Sequence, residues 1–237
     1  MSKNTKQQPL HAKSMQQTTT HTRLHIWLLS LLAIALLSSF LQTAQANDDP
    51  QALLETAAHD MITALNNNRD RIKQDPSVTQ KLIEDILLPH IGIITASKYV
   101  LGSHWDGATK KQKIGFIKAF RVLLLRFYSS ALTEYLNSHD GKLDPNLMVF
   151  YKPADLNAPQ VLVRSEVKPK SGNPVPINYK MQKTRKGWKI IDVSVEGVSV
   201  ITTYKTSFAS EIKQNGLDAL ISSLQSRNEK LRTAATS

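Results

Sequence analysis

The chain has 237 residues, of which 41% are hydrophobic, and it carries 30 Lys and Arg against 19 Asp and Glu. It contains no cysteine, which excludes a disulfide scaffold, a zinc ribbon, an iron–sulfur site and a thiol nucleophile. The length allows one or two domains with a sizeable core. The net charge of +11 by itself favours nucleic acid or an anionic membrane as partner.

The N-terminal stretch has the pattern of an export signal. Residues 1–25 carry four basic residues and no acidic one, and an uncharged apolar run of 16 residues follows at 26–41. The small-x-small triplet Ala44-Gln45-Ala46 comes next, so we predict a secretory signal peptide over 1–46 that is cleaved after Ala46. The alternative is an uncleaved membrane anchor, but the apolar run is shorter than the ~20 residues that span a bilayer.

Cleavage of the predicted signal peptide lowers the net charge of the chain. Residues 47–237 retain 26 Lys and Arg and 19 Asp and Glu, a net charge of +7. Export argues against DNA or RNA as a partner. In a bacterium with two membranes, the predicted compartment is the periplasm.

The first half of the mature chain has helical periodicity. Asp49-Pro50 opens an amphipathic segment, and a shorter helical piece covers 91–101. The longest regular segment, 108–138, has four consecutive apolar residues at 122–125, more than the single stripe of a surface helix. This helix therefore lies deep in a core, or part of its surface faces something apolar other than protein.

The second half alternates with the period of a β-strand. Segments 147–151, 161–168, 175–182 and 188–204 are predicted strands, and 170–173 and 184–187 are predicted hairpin connections. The chain returns to helix from Ser207, and 228–237 is expected to be a flexible tail. We predict one α+β domain over 47–237, with a curved, mainly antiparallel four-stranded sheet packed by helices.

Catalytic and metal-binding motifs are missing from the mature sequence. No two of its four histidines have metal-ligand spacing, and it has no G-x-S-x-G, P-loop or G-x-G-x-x-G motif. Asp192 and Glu196 are interpreted as hydrogen-bonding groups of a turn or bulge. We therefore predict no enzyme activity, catalytic residue, metal or cofactor.

A basic cluster surrounds the second predicted hairpin turn. One interpretation is a solvated turn, and the other is docking against anionic lipid headgroups or an acidic protein surface. The cluster consists of Lys180, Lys183, Arg185, Lys186 and Lys189.

Four motifs in order resemble one protein family. The segment from Trp188 to Tyr204 resembles the W-x-x-x-D-V-x-x-E-G-V-S hallmark of MlaC proteins, also called the toluene-tolerance family. Segment 88–105 is similar to its L-P-x…V-L-G-x-x-W/Y motif, and segment 108–128 is similar to its A-T-x-x-Q…F…F-R…L…Y motif. Segment 216–220 is similar to its G-[IL]-D-x-L motif. The resemblance covers essentially all of the mature chain.

The resemblance implies a fold and a function. The fold is a cone related to the nuclear transport factor, in which a curved sheet and helices close a deep apolar pocket around phospholipid tails. The function is a periplasmic carrier that moves phospholipid between an outer-membrane lipoprotein–porin complex and an inner-membrane ABC transporter with its substrate-binding ring, and so maintains the lipid asymmetry of the outer membrane. The lipid is cargo rather than cofactor, and contact with membrane surfaces is transient.

The pocket lining is expected on the strands and on the helices that face them. Two alternatives remain open: a small-molecule enzyme on a related cone-shaped fold, and a structural or adaptor protein with a solid core. The expected lining residues are Val163, Val175, Ile177, Tyr179, Val195, Val198, Val200, Tyr99, Leu101, Phe120, Leu124 and Tyr128.

Overall fold

A computed structural model describes residues 49–138, 141–153, 155–169 and 172–234, with side chains described as far as Lys230. The predicted signal peptide lies outside these residues, and so do Lys170 and Ser171 of the predicted connection 170–173 and the last three residues of the predicted tail. In the part of the chain that the structure describes, no helix combines the length and the apolar character needed to cross a membrane.

Helices occupy the first half, as the periodicity predicts. The Asp49 carboxylate accepts hydrogen bonds from the backbone amides of Gln51 (2.8 Å) and Ala52 (3.3 Å), and Pro50 occupies the first turn of the helix that follows. The helices are α1 (Pro50–Asn67), α2 (Arg69–Gln74), α3 (Ser77–Leu82), α4 (Ile93–Leu101), α5 (His104–Gly107) and α6 (Lys110–Ser138).

An irregular segment, residues 83–92, joins α3 to α4. It consists of a π-helical turn (Ile83–Leu87) followed by a 3₁₀ turn (Leu88–His90). Pro89 lacks a backbone N–H and restricts the residue before it, so a regular α-helix does not continue through this point. The segment lies against the fourth strand of the sheet, where Ile91 forms an isolated parallel bridge with Ile190.

The sheet has five strands rather than the four that the sequence predicts. They run antiparallel in the order β1-β2-β3-β4-β5. The strands are β1 (Met148–Tyr151), β2 (Gln160–Val167), β3 (Val175–Thr184), β4 (Gly187–Val195) and β5 (Val198–Ser199).

The extra strand comes from a turn inside the predicted strand 188–204. Glu196 (φ 51°) and Gly197 (φ 82°) adopt left-handed backbone conformations, which reverse the chain and pair Val198 with Val195. The prediction that Val200 belongs to a strand is wrong, because Val200 is the first residue of α7 (Val200–Asn215). A last helix, α8 (Leu217–Ala234), includes most of the segment that was expected to be a flexible tail.

The buried side chains form three clusters. One joins α4, α6, α7 and α8 around Phe116, Phe120 and Phe208. A second packs α1 on the sheet around Trp188, and a third joins α1–α3, the irregular segment and α6. The chain has no cysteine, so disulfides do not add to the stability that this packing provides.

Candidate functional site

An apolar cavity of about 490 Å³ opens between α6, the irregular segment, β4 and the start of α7. Its volume lies within the range of about 300–1,000 Å³ that is usual for small-molecule sites. The lining residues are Ile83, Leu87, Leu88, Ile91, Ile93, Ala96, Arg121, Leu124, Leu125, Tyr128, Ala131, Leu132, Ile190, Ile191, Asp192, Val193, Val195, Val200 and Ile201.

Helix α6 contributes one continuous face to this cavity. Arg121, Leu124, Leu125 and Tyr128 are spaced by three or four residues and therefore point to the same side of the helix. The excess apolar character at 122–125 is thus shared between the cavity and the cores, since Leu123 and Leu125 belong to two different buried clusters.

Strand β4 lines the cavity with consecutive residues, which a regular strand does not do. The pairing with β3 matches Asp192 to Lys180 and Ile190 to Met181, so Ile191 has no partner and forms a bulge. A bulge interrupts the alternation of faces. Ile190, Ile191 and Asp192 consequently all reach the cavity.

Asp192 is one of two charged residues in the lining, and its carboxylate is occupied by structural hydrogen bonds. The Ser199 hydroxyl donates to Oδ2 at 2.6 Å, and the Ile201 backbone N–H donates to Oδ1 at 3.1 Å. Asp192 therefore has the hydrogen-bonding role that the sequence predicts, but its bonds join β4 to the start of α7 rather than close a turn or bulge. Glu196 lies in the adjacent tight turn, where its backbone N–H donates to Pro176 O at 3.0 Å.

The irregular segment packs closely against β4, and hydrogen bonds connect the two. The Gly92 N–H donates to Ile190 O at 2.8 Å, and the Lys189 ammonium donates to Pro89 O at 2.7 Å. A Cβ on residue 92 would lie 3.1 Å from Ile191 Cγ2 and 3.2 Å from Lys189 Cβ. Glycine therefore permits this wall of the cavity to close.

Four of the expected lining residues contact the cavity. They lie on α6, at the end of β4 and at the start of α7. They are Leu124, Tyr128, Val195 and Val200.

The other expected residues lie elsewhere. Val163 and Tyr179 pair across β2 and β3 and pack in the cluster beneath α1, while Leu101 and Phe120 are buried in the aromatic helical core. The Tyr99 hydroxyl accepts a hydrogen bond from Gln160 at 3.0 Å. Val175 and Ile177 lie on β3 outside the lining, and Val198 is 65% exposed on β5.

Sequence reasoning missed the wall formed by the irregular segment. Ile83, Leu87, Leu88 and Ile91 all line the cavity. The available signal was the density of apolar residues on both sides of Pro89, which exceeds what one amphipathic stripe requires.

Tyr128 brings a phenol hydroxyl into the lining of the cavity. Burial, reinforced by the nearby Tyr204 and Asp192, raises the pKa of Tyr128 to about 12, so its hydroxyl remains protonated. No histidine lines the cavity. Among the described residues, no group of three His, Asp or Glu side chains is arranged to hold a metal ion.

Comparison with known proteins identifies the family. The sequence model for the MlaC protein matches residues 55–226. The chain belongs to the MlaC family. This MlaC-family chain is 27% identical over 198 residues to the intermembrane phospholipid transport system binding protein MlaC of Haemophilus influenzae, covering 80% of this chain and 87% of that protein. It is 25% identical over 186 residues to the toluene tolerance protein ttg2D of Pseudomonas putida, covering 78% and 83% of the two chains.

A solved structure has a similar fold. It is a phospholipid-binding protein from Ralstonia solanacearum in complex with a phospholipid, with a TM-score of 0.67 and 27% identity. The similarity covers 78% of this MlaC-family chain and 99% of the other. An α+β fold with an antiparallel sheet packed by helices is therefore common to both.

Proposed function

We propose that this protein is a phospholipid carrier that transports lipid between membranes. One observation carries the proposal: the apolar cavity under α6 belongs to a fold shared with a protein solved in complex with a phospholipid. The relative from Haemophilus influenzae is itself named as the binding protein of an intermembrane phospholipid transport system. In this proposal the helices and the curved sheet form a cone around the acyl chains.

A carrier has to offset the large free energy that it costs to move acyl chains from a membrane into water. Transfer of an acyl chain of ~16 carbons from water into an apolar environment gains ~13 kcal/mol, at ~0.8 kcal/mol for each buried CH₂ group. A two-chain lipid therefore leaves a bilayer slowly without a protein that offers comparable apolar surroundings. An aliphatic lining with few directed polar contacts meets that requirement and also permits release.

The proposed compartment and partners follow from the predicted export signal and the family. After cleavage behind Ala46, the carrier would be a periplasmic protein with a net charge of +7. It would collect and deliver phospholipid at an outer-membrane lipoprotein–porin complex and an inner-membrane ABC transporter with its substrate-binding ring. Its positive charge favours transient contact with anionic membranes, although physiological salt screens that attraction beyond about 8 Å.

The proposal predicts that a charge placed in the cavity prevents lipid binding. Leu124→Glu puts a carboxylate in the lining, and burying it beside acyl chains is costly. The full chain is expressed, purified and analysed by native mass spectrometry. We expect lipid occupancy to fall by roughly tenfold or more in Leu124→Glu.

A matched control comes from the same helix. Ile114 is 43% exposed and does not line the cavity, so Ile114→Glu should retain the lipid. Extraction with organic solvent should yield stoichiometric phospholipid from the unsubstituted protein and from the control. Equal occupancy in both variants would contradict the proposed site, and an unsubstituted protein without phospholipid would contradict the function.

A further inference from the structure

Arg121 stands out among the residues that line the cavity. The lining holds two charged side chains, and the carboxylate of the other, Asp192, is engaged by Ser199 and Ile201. Arg121 is exposed, and within the described residues its guanidinium forms no hydrogen bond or ion pair. It is therefore a cation without a bonded partner among the described residues, on a wall whose other charged group is already engaged.

Exposure locates Arg121 at the opening of the cavity. Most lining residues are buried or half-buried, whereas Arg121, Tyr128, Ala131 and Val195 remain exposed. These four residues come from α6 and from the end of β4, and they define the rim. Arg121 lies two turns before Tyr128 on the face of α6 that runs into the cavity.

The chemistry of a phospholipid places its phosphate at the same rim. The acyl chains gain free energy inside the cavity, but the phosphodiester carries a charge that is costly to remove from water. The phosphate therefore stays where the lining meets solvent. A guanidinium presents two parallel N–H groups that match two phosphate oxygens, and it is more weakly hydrated than an ammonium.

We propose that Arg121 binds the phosphodiester of the lipid at the rim, so that the carrier prefers lipids that contain a phosphate over uncharged lipids with the same acyl chains. This inference rests on the proposed function, because it assigns a residue to the headgroup end of the same cavity. The acyl chains supply most of the affinity, and Arg121 supplies the preference for lipids that contain a phosphate over uncharged lipids.

The test is a competition between phosphatidylethanolamine and diacylglycerol with identical acyl chains. The full chain is expressed, purified and stripped of lipid, and both lipids are offered together before native mass spectrometry. The unsubstituted protein should favour phosphatidylethanolamine, and Arg121→Gln should reduce that preference by about tenfold, the effect of one charge-assisted hydrogen-bonded contact. Arg121→Lys keeps the charge but loses the paired geometry, so its preference should be intermediate.

Lys118→Gln is the matched control. Lys118 is an exposed cation one turn earlier on α6 and does not line the cavity, so its removal should leave the preference unchanged. Unchanged preference in Arg121→Gln, or an equal loss in Lys118→Gln, would overturn the assignment while lipid binding persists. Failure of the unsubstituted protein to take up either lipid would refute the proposed function instead.

A second arm distinguishes a lipid phosphate from free phosphate. Inorganic phosphate alone should neither raise the melting temperature nor displace phosphatidylethanolamine, because it gains nothing from the apolar cavity. Stabilisation by inorganic phosphate that disappears in Arg121→Gln would show a site for the free anion and would overturn the proposal.

Discussion

The hydroxyl of Ser199 donates a 2.6 Å hydrogen bond to the carboxylate of Asp192. Ser199 is also the N-cap of α7, since its Oγ accepts the N–H of Thr202 at 3.0 Å. One chain of hydrogen bonds thus joins the bulged strand β4 to the first turn of α7. Both elements line the cavity, so this connection determines the shape of that wall.

Removal of the Asp192 carboxylate should therefore destabilise the protein. Asp192→Ala loses the acceptor for both the Ser199 hydroxyl and the Ile201 N–H, and we expect the free energy of unfolding to fall by about 1–3 kcal/mol in urea denaturation. The control is Asp106→Ala, because Asp106 is exposed and accepts no hydrogen bond from a described side chain or backbone group. It should change stability by less than about 0.5 kcal/mol. Equal effects of the two substitutions would show that the Asp192 network contributes nothing.

Gly92 should tolerate a branched side chain poorly. The Cβ contacts of 3.1 and 3.2 Å are tight even for alanine, and the branched side chain of valine adds to them. Gly92→Val should force the irregular segment away from β4 and cost about 1–3 kcal/mol of stability, measured by thermal or urea unfolding. Gly107→Ala is the control, because a Cβ there has no neighbour within 4 Å and alanine favours a helix. A neutral Gly92→Val would mean that the close approach to β4 is unimportant.

Stability should fall at high pH because of two tyrosines. Burial raises the pKa of both Tyr128 and Tyr179 from 10.0 to about 12, so each phenol binds its proton more tightly in the folded state than in the unfolded state. The contribution of the two protonated tyrosines to the free energy of unfolding is complete below pH 10 and is lost as the pH rises from about 10 to about 12.

The two tyrosines can be separated by substitution. Tyr179 is half-buried, whereas Tyr128 is 41% exposed. The contribution of Tyr179 to the free energy of unfolding is on the order of 2 kcal/mol, and solvent screening makes that of Tyr128 smaller. Urea denaturation across this pH range should show a shallower decline in Tyr179→Phe than in the unsubstituted protein. Titration of tyrosinate absorbance supplies the direct readout. An identical decline in both proteins would contradict the assignment to Tyr179.

Local hydrophobic periodicity was sufficient to predict most of the secondary structure. The apolar spacing predicts a helix over 108–138, and α6 covers Lys110–Ser138. The turn predicted at 184–187 joins β3 to β4, with Thr184 paired to Gly187. These features depend on neighbours within a few residues, so the sequence carries the information directly.

The start of α7 shows where local propensity fails. Val200 and Ile201 are β-branched and favour a strand, yet a helix begins at Val200. The capping hydroxyl of Ser199 and the distant Asp192 carboxylate accept two of the free N–H groups of its first turn, those of Thr202 and Ile201. Tertiary hydrogen bonding outweighs the preference of the individual residues.

The sequence by itself determined the family, the order of helices before an antiparallel sheet, and the excess of apolar surface at 122–125, because motifs and hydrophobic periodicity are local properties. Only the tertiary structure decided which apolar residues fill a core and which border a cavity. Phe120 and Leu124 are both apolar and one turn apart, yet one is fully buried among aromatic rings and the other faces the cavity. Both side chains are apolar, so hydrophobic periodicity alone cannot distinguish them, and the arrangement of α6, β4 and the irregular segment does.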